Sequence, residues 1–517
     1  MTEGTSPAVD RSLVVWVLLS LAMVAALCST GFLPFYDYYQ WLFQGHVVSV
    51  LLFGAAGSAH DVAGSYYLSP VPVPNLAAPV LIGLLNTFLS IEVAGRVFVV
   101  ATVLGVAGAY GRLVRTLQRR PTTIEYLGLL WAPGFFLYKG YLSFAVGLAA
   151  VFLLVAVLHR LVDDPTPPPC RSLLVVTGLG VLLYLSHLLS WIMGGLAVLA
   201  HAVVLLRRGQ RPAAAQLVAT MIPGVALATW YVIAEHGGSG VTFYPSWREK
   251  AIALTETLQP FLRLDPFPPA FPLFWVNIVL ALVSCTVVAA HVDVGRLRTA
   301  VVDRPVLWLS LALAAIALLL PISTVNDLIK PDERFVMPAL LLATAALPLR
   351  GVGRRLAALG PILAVVVIAL HLVEYTAVDR RIAHVDAAID ATVPPGTSVL
   401  HVVIPSRYGC GDSPGPVTGV PALKWFAVDH ALEAGPTRVN VEETSLVHAR
   451  ASASPQTTVL ALDVPQVSAE VLPAAVAYPF VDAIGCPSDL IEVEHDLSPR
   501  YRPDARGDGY TILERSR

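Results

Sequence analysis

The chain has 517 residues, of which 56% are hydrophobic and only 14% charged, with a mean hydropathy of +0.69 and a formal net charge of −2. An ordinary soluble domain carries about 25% charged residues. This balance excludes a disordered chain, a nucleic-acid binder led by charge and a small disulfide scaffold, and it implies a multi-span membrane protein.

Charge divides the chain in two. Residues 1–375 hold 23 Lys and Arg against 18 Asp and Glu, a balance of +5, whereas 376–517 hold 11 against 18, a balance of −7. A transmembrane domain over 1–375 is therefore expected, followed by a water-facing domain over 376–517. A spanning helix needs about 20 mostly apolar residues, because lipid cannot satisfy exposed backbone groups. Runs at 12–33, 95–112, 124–140, 141–159, 172–188, 190–206, 213–233, 270–291, 305–322, 335–349 and 357–375 predict about eleven spans. The first run follows Arg11 and lacks a small-x-small cleavage site, so it reads as an uncleaved span. The apolar stretch 75–91 carries Asn75 and Asn86 and stops just before Arg96, so it is expected to lie along the outer leaflet. Basic clusters at 112–120, 159–171, 207–211, 295–304 and 349–355 then share one side. The positive-inside bias makes that side cytoplasmic, with the N-terminus inside and the C-terminal domain outside the plasma membrane.

The opposite side collects the remaining ionisable groups, which are costly near membrane depth and mark candidate sites. The first outer loop, 34–94, opens with PFYDYYQWLFQGH, where Asp37 stands among Tyr36, Tyr38 and Tyr39. Such a carboxylate is placed either as a general base or as a solvated helix-end acid in an aromatic belt. His46 and Asp61 share the loop. Lys139, in FFLYKGYLS, either snorkels to headgroups or meets an anionic ligand. His187, in LYLSHLLSW, ends an outward span as a packing residue or a site residue. In 234–269, Ala251, Ile252, Leu254, Leu258, Phe261 and Leu262 repeat at helical spacing, which predicts a helix on the membrane surface. Its Arg248, Lys250 and Arg263 either hold a lipid phosphate or grip anionic headgroups. Segment 323–334 packs Asp327, Lys330, Asp332, Glu333 and Arg334 together, as local ion pairs or as part of a site.

In the tail, 376–391 continues the last span as a polar helix. A strand is expected in PPGTSVLHVVIP, a helix near 421–434 and further strands near 457–464, 490–495 and 509–514, a small α/β domain. Cys410 and Cys486 either form a disulfide or remain thiols. No CxxC, HExxH, Walker or GxGxxG pattern occurs, and the Arg-Gly-Asp within 505–510 has no supporting context.

A first span, an acid among tyrosines, YYLSPVPVPN, an apolar interfacial helix and a helix opening on Gly95-Arg96 together resemble the GT-C class of membrane glycosyltransferases. The pattern is similar to polyprenyl-phosphate-sugar transferases such as protein O-mannosyltransferases and lipid A aminoarabinose transferases. The resemblance covers roughly 12–160 in pattern and the rest in architecture. It implies an all-α polytopic domain with juxtamembrane helices in the first outer loop, plus the small C-terminal α/β domain. It also implies an inverting sugar transfer from a polyprenyl-phosphate donor to an envelope glycan, lipid or protein acceptor. Asp37 matches the catalytic carboxylate of that class and Lys139 its phosphate-facing base. Arg248, Lys250, Arg263 and Arg334 are further phosphate contacts on this reading, with Asp61 and His187 as substrate-side candidates. No cofactor is required, although a divalent metal at the first-loop acid is an option within the class, and no nucleic-acid partner is expected. Two other readings stand beside it: a transporter or lipid flippase, and a membrane anchor that presents its tail to an envelope partner.

Overall fold

The structure is a computed structural model that describes residues 11–35, 37–55, 59–164, 168–234, 242–243, 246–260, 273–297, 304–320, 322–323, 331–351, 354–394, 397–403, 438–439, 446–449, 456–461, 475, 478–484, 487–507 and 510–516. Helix α1 (Arg11–Cys28) leads into the first loop, which folds as α2 (Tyr38–Leu51), α3 (Ala59–Ser65), strand β1 (Tyr66–Leu68) and α4 (Ala77–Asn86) before α5 (Ile91–Gln118). A 3-10 turn at Thr123–Tyr126, α6 (Leu127–Trp131) and α7 (Phe135–Tyr138) connect to α8 (Leu142–Asp163). Then come α9 (Cys170–Ser186), α10 (Leu188–Arg207), α11 (Arg211–Ala219), α12 (Ile222–Ala234), β2 (Thr242–Phe243) and α13 (Trp247–Thr257). The helical part ends with α14 (Leu273–His291), α15 (Pro305–Leu319), β3 (Ile322–Ser323), α16 (Pro331–Ala346), α17 (Arg354–Ala357) and α18 (Leu359–Thr392).

Five of these are long and apolar enough to cross a membrane: α5, α8, α10, the α11–α12 pair and α18. Others, among them α1, α9, α14 and α15, are apolar but shorter. Many turn large apolar side chains outward, including Leu18, Leu174, Ile222, Ile233, Leu319 and Val373. Apolar surface on this scale is untenable in water and suits lipid.

The expected span at 124–140 is corrected. It is broken into the 3-10 turn, α6 and α7: Pro133 lacks a backbone N–H, and the helical backbone that still includes Ala132 ends where Gly134 leaves the helical region at ψ −141°. The segment nevertheless traverses the bundle. Arg119 at the end of α5 pairs with Asp163 at the end of α8 at 2.9 Å, so these two closely packed helices run in the same direction. Residues between them must return from one end to the other. From Ile124 to Tyr138 every residue is buried, so the irregular backbone is shielded from lipid by protein, a condition under which it is tolerated at membrane depth.

Helix α4, within the stretch expected to lie in the interface, has ten residues. At 1.5 Å per residue it is about 15 Å long, half of a bilayer core. It crosses α2 at close range, where a Cβ on Gly83 would stand 2.9 Å from the Gly45 carbonyl oxygen, so only glycine permits this approach. Its start is fixed by Ser143 Oγ, which accepts from Ala78 N at 2.9 Å, and by Leu76 N donating to Leu185 O at 2.7 Å.

Beyond α18 the tail forms β4 (Val399–Val403), β5 (Arg438–Val439), β6 (Val447–Ala449), β7 (Gln456–Ala461), β8 (Phe480–Ile484), helix α19 (Pro487–Leu497), β9 (Tyr501–Gly507) and β10 (Tyr510–Arg515). Six strands make one sheet in the order β5-β7-β4-β8-β10-β9, parallel from β5 to β8 and antiparallel at β10 and β9. Side chains alternate between its faces. Leu400, Val402, Val481 and Ala483 pack with Leu490, Val493 and Leu497 of α19, whereas Val399, Phe480, Ile484 and Tyr510 join the core of the bundle. The strand expected at 490–495 is therefore a helix. Leu490, Val493 and Leu497 recur at i, i+3 and i+7 after Pro487, while Ile491 faces outward. The helix expected near 421–434 and the Cys410–Cys486 pair lie outside the described residues.

Candidate functional site at the first-loop end of the bundle

Asp37 occupies the N-cap position of α2, half-buried, with φ −101° and ψ 12°, and its side chain makes no capping bond. The wall behind it is aromatic. Phe35 meets Tyr38, Tyr138 and Tyr375 edge-on at 6.1, 6.4 and 5.7 Å, and Tyr138 Oη lies 2.8 Å from His371 Nδ1. His371 stacks on Tyr375 at 5.4 Å. These rings come from the first loop, α7 and α18 and make a dry, stiff backing.

The α7–α8 turn, Lys139-Gly140-Tyr141, lies directly on Asp37. Gly140 has φ +69°, and a Cβ there would sit 2.5 Å from Asp37 N and 2.7 Å from Asp37 Cβ. Trp41 Nε1 donates to Gly140 O at 2.7 Å and clamps the turn to α2. Glycine is required here twice, by the left-handed backbone and by the contact. Its neighbours on either side carry chemistry. Lys139 is half-buried, its Nζ 5.6 Å from the Phe135 ring centre. Tyr141 Oη donates to Glu333 Oε2 at 2.8 Å, and the Arg334 guanidinium stacks 4.1 Å above the Tyr141 ring.

The Tyr141 hydroxyl thus reaches the Glu333 carboxylate as a hydrogen-bond donor. Glu333 and Arg334 are both buried and belong to the first turn of α16. One end of the bundle thus brings together Asp37, Lys139, Tyr141, Glu333 and Arg334.

The remaining candidates are distributed as follows. His187 is buried as the N-cap of α10, its Nδ1 accepting from Leu189 N at 3.1 Å, and the Arg334 charge reaches it through space. Lys250 is buried and committed elsewhere: its Nζ donates to the carbonyls of Leu318 and Leu320 at 2.7 Å, closing the C-terminal end of α15. Arg248 is exposed on the first turn of α13, and Asp61 falls on α3. Arg263, Asp327, Lys330 and Tyr36 lie outside the described residues. Among the described residues, no group of three or more His, Cys, Asp or Glu side chains is arranged to hold a metal ion.

The tail reaches the same end. Strand β1 pairs antiparallel with β6, Tyr66 opposite Ala449 through Leu68 opposite Val447, and Ser69 N donates to Leu446 O at 2.8 Å. Asp379 Oδ1 of α18 accepts from Phe32 N at 2.7 Å.

Sequence reasoning left Tyr141, Gly140 and His371 unremarked. A Lys-Gly-Tyr turn between apolar runs was the legible signal for the first two; His371 offered none, being one polar residue inside an apolar span. A buried pair in the sheet was missed as well. His401 and Asp482, directly opposite each other on β4 and β8, are joined Nδ1 to Oδ2 at 2.5 Å on the face turned to the bundle. Comparison with family models, with curated proteins and with solved structures finds no match to this chain, so the site is read from its own residues.

Proposed function

We propose that this chain is an integral membrane glycosyltransferase of the GT-C class. It moves a sugar from a polyprenyl-phosphate donor to an envelope acceptor, on the extracytoplasmic side. A lipid-linked donor needs a site at the membrane surface, open to the bilayer for its tail and to water for the acceptor. The acceptor hydroxyl attacks the anomeric carbon, the bond from that carbon to the phosphate oxygen breaks, and configuration inverts. Asp37 takes the hydroxyl proton as general base. Lys139 and Arg334 offset the charge that develops on the departing phosphate, with Arg248 on the nearby surface helix as an outer contact. Lys250 holds α15 in place rather than meeting the phosphate.

The observation that carries this reading is the grip of Gly140 on Asp37, one residue from both Lys139 and the Tyr141–Glu333–Arg334 cluster. Replacing Asp37 by Asn tests it. A general base contributes about 10² to 10⁴ in rate, so envelope glycans measured by mass spectrometry should lose the transferred sugar to that extent, while the chain is produced and melts as before. Unchanged glycans would remove Asp37 as the base and favour a membrane anchor.

A further inference from the structure

The end of the bundle away from Asp37 is built differently. The ends of α5, α8, α10, α14 and α16 and the start of α15 surround a cavity of about 700 Å³. Six arginines line it, Arg119, Arg120, Arg208, Arg296, Arg304 and Arg350, against the carboxylates of Asp163 and Asp293. We propose that this cavity is a binding site for a phosphate-bearing anion, separate from the Asp37 site and independent of the reaction assigned there.

Charge comes first. Arg119 pairs with Asp163 at 2.9 Å and Arg296 with Asp293 at 3.4 Å. Among the described residues, no carboxylate lies within ion-pair distance of Arg120, Arg208, Arg304 or Arg350. Backbone carbonyls hold these four instead. Arg120 donates to Leu349 O at 2.8 Å, Arg350 to Ala290 O at 3.2 Å, Arg208 to Val162 O and Arg304 to Ala346 O. A carbonyl orients a guanidinium without neutralising it. Three of the acceptors stand at the C-terminal ends of α8, α14 and α16, where each helix contributes roughly half a negative charge. Subtracting about 1.5 for those three ends from an arginine excess of four leaves about 2.5 positive charges, enough to hold a phosphomonoester at about −1.5 to −2.

Size and geometry agree. Ligand cavities run from about 300 to 1,000 Å³, so this one accepts a phosphate together with part of its organic body. The arginines come from five separate segments and are fixed by backbone carbonyls, a preorganised fork array that can meet several phosphate oxygens at once. Topogenic charge alone would be satisfied by arginines spread along the loops and requires no convergence of six of them on one cavity.

The test uses the full chain in nanodiscs of phosphatidylcholine alone, titrated with inorganic pyrophosphate at constant ionic strength. A second preparation contains phosphatidylglycerol and no soluble phosphate. Arg120→Gln with Arg350→Gln, and separately Arg208→Gln with Arg304→Gln, keep an N–H donor for each carbonyl but remove the charge. Saturable stabilisation by pyrophosphate, weakened about tenfold or more in either variant, identifies a soluble phosphate ligand. Stabilisation by phosphatidylglycerol alone, lost in the variants, identifies a lipid headgroup. No saturable effect of either probe on the native chain overturns the proposal, as does an effect that survives in variants melting like the parent. If one double variant fails to fold, the other decides.

Discussion

The two ends of the helical bundle solve opposite problems. Around Asp37, charge is scarce and mixed, and aromatic rings with one left-handed glycine hold it in place. At the far end, charge is abundant and mostly positive, six arginines against two aspartates, with guanidinium groups held by backbone carbonyls around an open cavity. The first arrangement positions a single carboxylate against local packing; the second positions a field. Packing tolerates little displacement and is insensitive to salt, whereas a field tolerates the loss of any one member and is screened by ions.

That contrast can be attacked in order of expected effect. After Asp37→Asn itself, Gly140→Ala should be the most damaging single change to the proposed reaction at the first-loop end. The left-handed backbone costs an alanine about 1–2 kcal/mol, and its Cβ, 2.5 Å from Asp37 N, has to push α2 or the turn aside. A shift of about 1 Å lowers turnover on the order of 10²-fold, so sugar transfer should fall far more than melting temperature; intact transfer would show that Asp37 is not gripped. Tyr141→Phe comes next. It removes a partly buried donor from the buried Glu333 carboxylate, worth about 1.5–3 kcal/mol at most, and the loss, read by chemical denaturation, should be the same at low and high salt. A loss that shrinks with salt would place the cluster in water rather than in packing.

The smallest effect belongs to the tail, where Glu494 accepts from Arg506 at 2.9 and 2.5 Å and from Thr511 at 2.7 Å. Burial alone would raise the Glu494 carboxyl, but the bonds from Arg506 and Thr511 hold it below the usual range. A depressed folded value means that the contribution is complete above the ordinary glutamate range and fades as pH falls through the folded value. Hydrogen exchange of the β9–β10 hairpin should therefore accelerate on acidification in the native chain and change less in Glu494→Gln. Equal acceleration in both would assign the acid sensitivity to another group.

Much of this was legible beforehand, for identifiable reasons. Hydropathy located the long helices, and the basic clusters converge at one end, as the side-by-side reading of the loops required. For residues 75–91, Asn75, the prolines before it and the closeness of Arg96 weighed against a span, and the helix found within them has only ten residues. The segment 124–140 misled, since hydropathy counts apolar residues and not the N–H that Pro133 lacks. Strand and helix were confused at 490–495 because a five-residue window cannot separate a period of 2 from one of 3.6. Lys250 was legible as a charge near the surface, but its three carbonyl acceptors come from residues about 70 positions away, a pairing no local pattern encodes. Glu333 and Arg334 were seen as a charged run; that Tyr141 joins them depends on a contact 192 positions apart.

Helix α18 runs unbroken for 34 residues, about 51 Å at 1.5 Å per residue. A hydrocarbon core takes up about 30 Å of that, and the remainder carries the sheet, whose Val399, Phe480, Ile484 and Tyr510 pack with Val385 and Ile389 of the same helix into the core of the bundle. Without a joint along this length, and with β6 paired to β1, the sheet is held at one height, its attachment about 20 Å beyond Asp379 along the helix. Lengthening or shortening the helix by a single turn would displace its end by about 5.4 Å and pull β6 out of register with β1.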